Sequence, residues 1–167
     1  KAYIAQAGPE GFIRHTLNLI LGNAHPAIRD GRYSTVLAPG GSGSLRLAAE
    51  FINGSAPGSK IFVSNPSWPN HVPLLSSSGL TLEEYPYYDH ATHSLDFDAM
   101  MEALKGAGKG DLVLLHGCCH NPCGADLNND QWQAVTDLAL ANGFTPFIDM
   151  AYQGLGDGLD EDAFGAR

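Results

Sequence analysis

The sequence predicts an α/β domain, built on a mostly parallel sheet that helices cover on both faces. Apolar runs of strand length alternate with segments of helical period along the chain, which is typical of strand–helix–strand units. Glycine, proline or short polar turns separate the successive segments. In such sheets ligands bind beyond the carboxyl ends of the strands, so the residues that follow each strand are the first candidates for function.

Five predicted elements lie in the first half of the chain. One helix begins after Gly8-Pro9, because proline suits the first turn of a helix, and another ends at Gly79. We predict helices at about 10–21, 45–52 and 70–78, and strands at about 33–38 and 61–63.

The second half continues the alternation. We predict strands at about 81–85, 111–116 and 145–149, and helices at about 96–105 and 128–141. Asp96 or Asp98 is expected to cap the first of these helices. No repeat, low-complexity tract or linker divides the chain, so we expect a single domain.

Composition excludes several classes of function. A net charge of −9 with only nine Lys and Arg argues against non-specific nucleic-acid binding. No apolar run is long enough for a membrane span, and we expect no signal peptide, because no basic segment followed by an apolar stretch opens the chain. Three cysteines cannot form a fully paired disulfide framework, so we expect a reducing compartment and, by default, the cytoplasm.

A glycine-rich run, Pro39-Gly-Gly-Ser-Gly-Ser44, follows the first predicted strand and leads into a helix. Its backbone N–H groups and the helix N-terminus could hold a phosphate at Gly40, Gly41 and Ser42. The run is neither a P-loop nor a full dinucleotide-binding motif, because no Gly-Lys-Ser/Thr follows and Arg46 replaces the last glycine. A plain glycine turn is an equally good interpretation.

Trp68 and Asp149 follow or end two other predicted strands, within Ser64-Asn-Pro-Ser-Trp-Pro-Asn-His71 and Phe147-Ile-Asp-Met-Ala-Tyr-Gln-Gly154. Trp68 could lie flat on a planar ring, although an isolated tryptophan is more often a core residue. Asp149 ends an apolar strand, where a carboxylate needs a cation or strong donors. It could pair with a protonated ring nitrogen, cap a helix, or pair with a buried Arg or His.

The segment His116-Gly-Cys-Cys-His-Asn-Pro-Cys-Gly124 follows a further predicted strand and is rich in potential metal ligands. Structural zinc sites usually combine two separated ligand pairs, and no second pair follows downstream. We therefore expect no bound metal, with the cysteines as small packing residues and Asn121-Pro122 as a polar turn.

Taken together and in order, four motifs resemble those of class I aminotransferases of the aspartate and aromatic amino-acid subgroup. They are Gly-Gly-Ser-Gly-Ser-Leu-Arg, Ser-Asn-Pro-Ser-Trp-Pro-Asn-His, His-Gly-Cys-Cys-His-Asn-Pro and Asp-Met-Ala-Tyr-Gln-Gly. The resemblance implies that residues 1–167 are part of the large domain that binds pyridoxal 5′-phosphate (PLP). It also implies transamination between aspartate or an aromatic amino acid and a 2-oxo acid, by a homodimer.

The resemblance assigns one group of residues to the phosphate and to the faces of the cofactor. Gly40, Gly41 and Ser42 would hold the PLP phosphate, and Trp68 would stack on the pyridine ring. Tyr3 would reach across the dimer to the phosphate of the neighbouring subunit.

A second group would act at the edge of the pyridine ring. Asp149 would pair with the ring nitrogen, and His71 would orient Asp149 from behind. Asn121 and Tyr152 would hydrogen-bond the phenolic oxygen, with Asn121 also near the substrate carboxylate. His116 would line the same floor.

Two departures from the family pattern bear on function. Cys123 stands where the subgroup usually has threonine. The family lysine that holds PLP covalently has no counterpart, because none of the four lysines lies in a Ser-x-Ser-Lys-like motif, and the arginine for the substrate α-carboxylate is expected beyond Arg167. We expect the catalytic lysine region and the small domain to lie outside this chain, which alone should be inactive.

Two other classes of protein remain as alternatives. One is a catalytically dead homologue that keeps the fold as a binding module. The other is a nucleotide-binding α/β protein, which leaves the motifs of Trp68 and Asn121 unexplained.

Overall fold

The structure is a computed structural model that describes Tyr3 and residues 5–167. Its helices are α1 (Glu10–Leu21), α2 (Pro26–Arg29), α3 (Gly40–Ser55), α4 (His71–Ser76), α5 (Phe97–Leu104) and α6 (Asn129–Asn142), with a 3₁₀ turn at Phe164–Ala166. Its strands are β1 (Lys60–Asn65), β2 (Thr81–Pro86), β3 (Tyr88–Asp89), β4 (Ser94–Leu95), β5 (Leu112–His116) and β6 (Thr145–Asp149). Among the described residues, no helix is both long and apolar enough to cross a bilayer.

Four strands form a parallel sheet in the order β2-β1-β5-β6. Parallel neighbours need crossover connections, and α4 and α6 supply two of them. The carboxyl ends of these strands therefore meet at one edge of the sheet. The register pairs His116 with Asp149, so the last residues of β5 and β6 lie side by side at that edge.

Both faces of the sheet are buried, because side chains alternate along the strands. On one face Phe62, Val113 and Leu115 pack against α5 and α6. On the other, Ile61, Val63 and Leu114 pack against Ala49 of α3 and Leu75 of α4. Strands covered on both sides carry nearly continuous apolar sequences. The predicted fold class, a mostly parallel sheet flanked by helices, is confirmed.

Helix ends follow the local signals in the sequence. The Asp96 side chain accepts the N–H of Ala99 at 3.1 Å and so caps α5. Asn128 and Gln131 form a reciprocal capping box at the start of α6, and Gly143, with φ 82°, ends that helix. The predicted bounds of α1 and β6 match the structure, and α3 begins five residues earlier than predicted, within the glycine run.

The strand predicted at 33–38 is wrong. This segment is irregular, and its backbone makes a hydrogen bond from the Leu37 N–H to the Ala7 carbonyl instead of joining the sheet. Tyr33, Val36 and Leu37 are exposed. A β-branched and aromatic composition favours a strand only where a neighbouring strand supplies partners, and none of the described strands lies beside it.

The segment after β6 is fixed by a buried carboxylate. Asp162 accepts the N–H groups of Gly154, Gly156 and Asp157 at 2.8–3.0 Å. Gln153 donates to the Leu19 carbonyl at the end of α1, at 2.8 Å. These bonds order the loop that carries Tyr152.

Candidate functional site

A cavity of about 160 Å³ lies at the carboxyl edge of the sheet. Gly41 and Leu45 of α3, Trp68 from the turn after β1, and residues that end or follow β5 and β6 form its walls. The lining residues are Gly41, Leu45, Trp68, His116, Cys118, Asn121, Asp149, Ala151 and Tyr152. Residues from four separate motifs, spread over more than a hundred positions, therefore converge on one space.

A larger, open hollow of about 720 Å³ lies beside α6, but its walls are strongly acidic. They include Asp126, Asp130, Asp157, Asp160, Glu161 and Asp162. We place the site in the smaller cavity, because an aromatic ring, an amide, a carboxylate and a helix N-terminus converge there.

Two hydrogen bonds fix Asp149 at the end of β6. Its carbonyl accepts the N–H of Gly117 at 2.8 Å, which ties it to the end of β5. Its carboxylate Oδ2 accepts from Nε2 of His71 at 2.8 Å. The His71 side chain is fully buried, whereas the Asp149 side chain keeps 24% of its surface exposed towards the cavity. Of the three interpretations of Asp149, the pairing with a buried histidine is therefore observed.

His71 belongs to a hydrogen-bond chain that has a defined direction. The backbone N–H of Asn121 donates to Nδ1 of His116 at 3.3 Å, so the hydrogen of a neutral His116 lies on Nε2. This Nε2 donates to Ser67 Oγ at 3.1 Å, and the Ser67 hydroxyl donates to Nδ1 of His71 at 2.8 Å. His71 then carries its hydrogen on Nε2 and donates it to Asp149. A backbone donor and a carboxylate acceptor at the two ends fix the same orientation.

This direction requires a neutral His116. Burial, followed by the like charges that His120 and His71 would carry, lowers the pKa of His116 to about 3. A proton on its Nδ1 would oppose the N–H of Asn121. The neutral ring therefore holds the Asn121 backbone in place beside the cavity.

Trp68 is half-buried and lines the cavity. It meets His71 edge-on, with ring centroids 5.3 Å apart and an interplanar angle of 87°. It is not a core residue, because it lies at the ligand end of the sheet between two prolines.

Another wall of the cavity is the first turn of α3. Gly40 has φ 72°, which favours glycine, and the N-cap residue Pro39 makes no side-chain cap. A Cβ built on Gly41 meets nothing within 4 Å, so open space adjoins the first N–H groups of the helix. Such a turn can bind an anion. Gly41 lines the cavity, whereas Ser42 is exposed and is not among the lining residues.

Tyr152, a residue that is 37% exposed, lines the cavity. Tyr3 is fully exposed and does not line this cavity.

Sequence reasoning gave no role to Ser67, which links His71 with His116. Its place directly before Trp68 within the motif is its only signal. Leu45, Cys118 and Ala151 also line the cavity without having been predicted.

The two adjacent cysteines after β5 line different spaces. Cys118 faces the cavity and contacts Met150 Sδ at 3.8 Å, whereas Cys119 lines a separate hollow. In the part of the chain that the structure describes, no three His, Cys, Asp or Glu side chains are grouped to hold a metal ion.

Comparisons with known proteins agree on one family. Residues 1–166 match the model described as aminotransferase class I and II. The chain is 46% identical over 167 residues to an aspartate aminotransferase of Escherichia coli, and 44% identical to an aromatic-amino-acid aminotransferase of Paracoccus denitrificans. In both cases the match covers 100% of this chain and 42% of the relative.

Solved structures show the same relation. An aromatic amino acid aminotransferase from Burkholderia cenocepacia superposes with a TM-score of 0.98 at 44% identity. One from Burkholderia pseudomallei, covalently bound to pyridoxal phosphate, superposes with a TM-score of 0.97 at 40% identity. Both matches cover 100% of this chain and 42% of the other. The chain thus spans about two fifths of the length of these relatives.

Proposed function

Because the chain belongs to the class I and II aminotransferase family, we propose that it forms most of the PLP-binding domain of a transaminase. The whole protein would move an amino group between aspartate or an aromatic amino acid and a 2-oxo acid. The lysine that holds PLP covalently and the small domain would be supplied by sequence outside residues 1–167.

The convergence of Gly41, Trp68, Asn121, Asp149 and Tyr152 on one cavity carries this proposal. Two walls of the cavity suit the two ends of PLP. A helix N-terminus suits a phosphate, and a carboxylate held by a buried histidine suits a protonated ring nitrogen. At about 160 Å³ the space is smaller than the roughly 300–1,000 Å³ of typical ligand pockets, which fits walls shared with the rest of the protein.

Asp149 would hold a proton on the ring nitrogen of PLP. The bound cofactor supplies an electron sink for the charge left on the substrate carbon when its proton is removed. Asp149 can do this because His71 satisfies one carboxylate oxygen and fixes the plane of the group. The hydrogen-bond chain from Asn121 preorganises that arrangement before the substrate binds.

Trp68, Asn121 and Tyr152 would orient the ring. All three line the cavity, where Trp68 supplies an aromatic ring and the other two supply polar groups. We propose that Gly40, Gly41 and Ser42 hold the phosphate, with the main contribution from backbone N–H groups because Ser42 lies off the cavity wall.

We further propose a homodimer in which Tyr3 contacts the phosphate of the neighbouring subunit. Its complete exposure in this chain is compatible with such a role. The three cysteines are free, which supports a reducing compartment such as the cytoplasm.

The full-length protein tests the proposal. Purified with PLP, it should absorb in the visible and transfer amino groups to 2-oxoglutarate from aspartate or phenylalanine, and the ratio of the two rates would define its preference. PLP binding without turnover would instead identify the catalytically dead binding module. Absence of PLP binding would contradict the proposed function.

A further inference from the structure

A stack of three rings lies directly behind the cavity. His116 stacks on His120 with ring centroids 4.0 Å apart and an interplanar angle of 24°. The other face of His120 stacks on Tyr87 at 4.1 Å and 14°. His120 is thus enclosed between the hydrogen-bond chain of the cavity and the core of the domain.

His120 is held by more contacts than a packing residue needs. Its ring is buried, with 2% of its surface exposed, and both ring nitrogens have partners. Nδ1 lies 3.0 Å from Cys123 Sγ, and Nε2 lies 3.1 Å from Ser64 Oγ. Its backbone N–H donates to Asp126 at 2.7 Å. These contacts fix both the position and the plane of the ring.

The plane of His120 matters because it covers one face of His116. Without that cover, water would reach His116 and stabilise its charged form. A charged His116 carries a proton on Nδ1, where the N–H of Asn121 now points. The hydrogen-bond chain to Asp149 therefore keeps its direction only while His120 covers His116.

We propose that His120 is a positioning residue, which acts through His116 to keep Asn121 in place and the hydrogen-bond chain to Asp149 in one proton arrangement. Cys123, which replaces the threonine usual in the subgroup, would serve as the polar partner that anchors His120. The importance of this for transamination rests on the proposed function, whereas the state of His116 does not.

The titratable groups around the two rings come from several elements. The exposed Asp126 and the partly exposed Asp149 favour a charged His116, and burial with the neighbouring histidines opposes it. Burial also lowers the pKa of His120, to about 4. The groups that face the pair are His71 of α4, Asp149 of β6, Asp126 and Cys123 from the loop after β5, and Tyr85 and Tyr87 from β2 and the residue after it.

Nitrogen-15 NMR of histidine-labelled full-length protein without PLP tests the state of His116 directly. The parent should show His116 neutral with its hydrogen on Nε2, from about pH 8 to about pH 5. In His120→Ala the titration midpoint of His116 should rise towards the ordinary histidine range. In His120→Phe, which keeps the aromatic cover, it should stay low. His15→Ala, an exposed histidine on α1, is the matched control.

Two results would overturn the proposal. One is a parent protein in which Nδ1 of His116 carries the hydrogen. The other is a His116 midpoint that does not move in His120→Ala. If His120→Ala prevents folding, His120→Asn, which also removes the aromatic ring over His116, takes its place in the same titration.

Kinetics of the PLP-loaded full-length protein add the functional consequence. In the His120→Ala variant, kcat/KM should fall at acidic pH, whereas in the parent and in His120→Phe it should not. A parent protein that does not bind PLP would contradict the proposed function, but it would not affect the NMR result for His116. An active parent with the same acid profile in all three proteins would contradict the positioning role.

Discussion

Two walls of the cavity, which we call the α3 end and the β6 end, are built from different parts of the polypeptide. At the α3 end, backbone N–H groups of a glycine-rich first turn face open space. At the β6 end, Asp149 is held by a chain of side chains that runs through His71, Ser67 and His116.

This difference predicts how each end responds to change. Backbone donors persist whatever side chain they carry, provided that space and helix geometry are kept, and they do not titrate. A side-chain network depends on every member and on their protonation states. We therefore expect mutations at the β6 end to affect rate, and mutations at the α3 end to affect cofactor affinity.

The largest effect is expected for Asp149→Ala in the full-length protein. Loss of a preorganised charge typically costs about 3–4 kcal/mol, or roughly two to three powers of ten in rate. Single-turnover rates at saturating PLP measure this loss. Asp149→Glu keeps the charge and should keep much more of the rate. A rate for Asp149→Ala within about tenfold of the parent would make Asp149 a structural residue.

His71→Asn should slow the same step by about ten- to 150-fold, because a hydrogen bond to a charged group contributes roughly 1.5–3 kcal/mol. Its effect should nearly vanish in the Asp149→Ala background, since the two residues act as one unit. The double-mutant cycle on single-turnover rates measures this coupling, with the exposed His90→Asn as control. Additive losses would show that His71 acts independently of Asp149.

Gly41→Val should weaken PLP binding by about tenfold, equivalent to about 1.4 kcal/mol, with a much smaller effect on the rate at saturation. The branched side chain would extend into the open space beside the first N–H groups of α3. Gly54→Val, on an exposed position of the same helix with equally open space, controls for lost helix stability. Equal PLP affinities in the two variants would rule out a phosphate site at Gly41.

The smallest effect concerns stability and pH. Burial lowers the pKa of His116 to about 3 and that of His120 to about 4, against 6.5 in the unfolded chain. Between the folded and unfolded pKa values, the unfolded state binds more protons than the folded state. The free energy of unfolding therefore falls as the pH falls from about 6.5 to about 4. Urea unfolding of the full-length protein at several pH values measures the slope. Replacement of His120 by Phe removes one titrating group and should reduce the slope of the free energy of unfolding against pH. An unchanged slope would contradict this account.

The sequence predicted most of the sheet because its strands are buried on both faces and its helices carry local caps, such as Asp96 and Asn128. The strand predicted at 33–38 was wrong because strand propensity does not indicate whether a partner strand is adjacent. Trp68, Asn121 and Asp149 were predictable as unusual residues after strands. Ser67 and His120 were not predictable. Ser67 is important because it bonds to His116, 49 positions away, and His120 because it stacks on His116 and on Tyr87, which only the folded structure brings together.

A crystal structure of the full-length protein with PLP tests the central claim most directly. We predict the ring nitrogen beside the Asp149 carboxylate, with the His71 hydrogen bond intact, and the phosphate at the first turn of α3. The opposite orientation, or a phosphate held away from Gly41, would contradict the division of the cavity into a backbone end and a side-chain end.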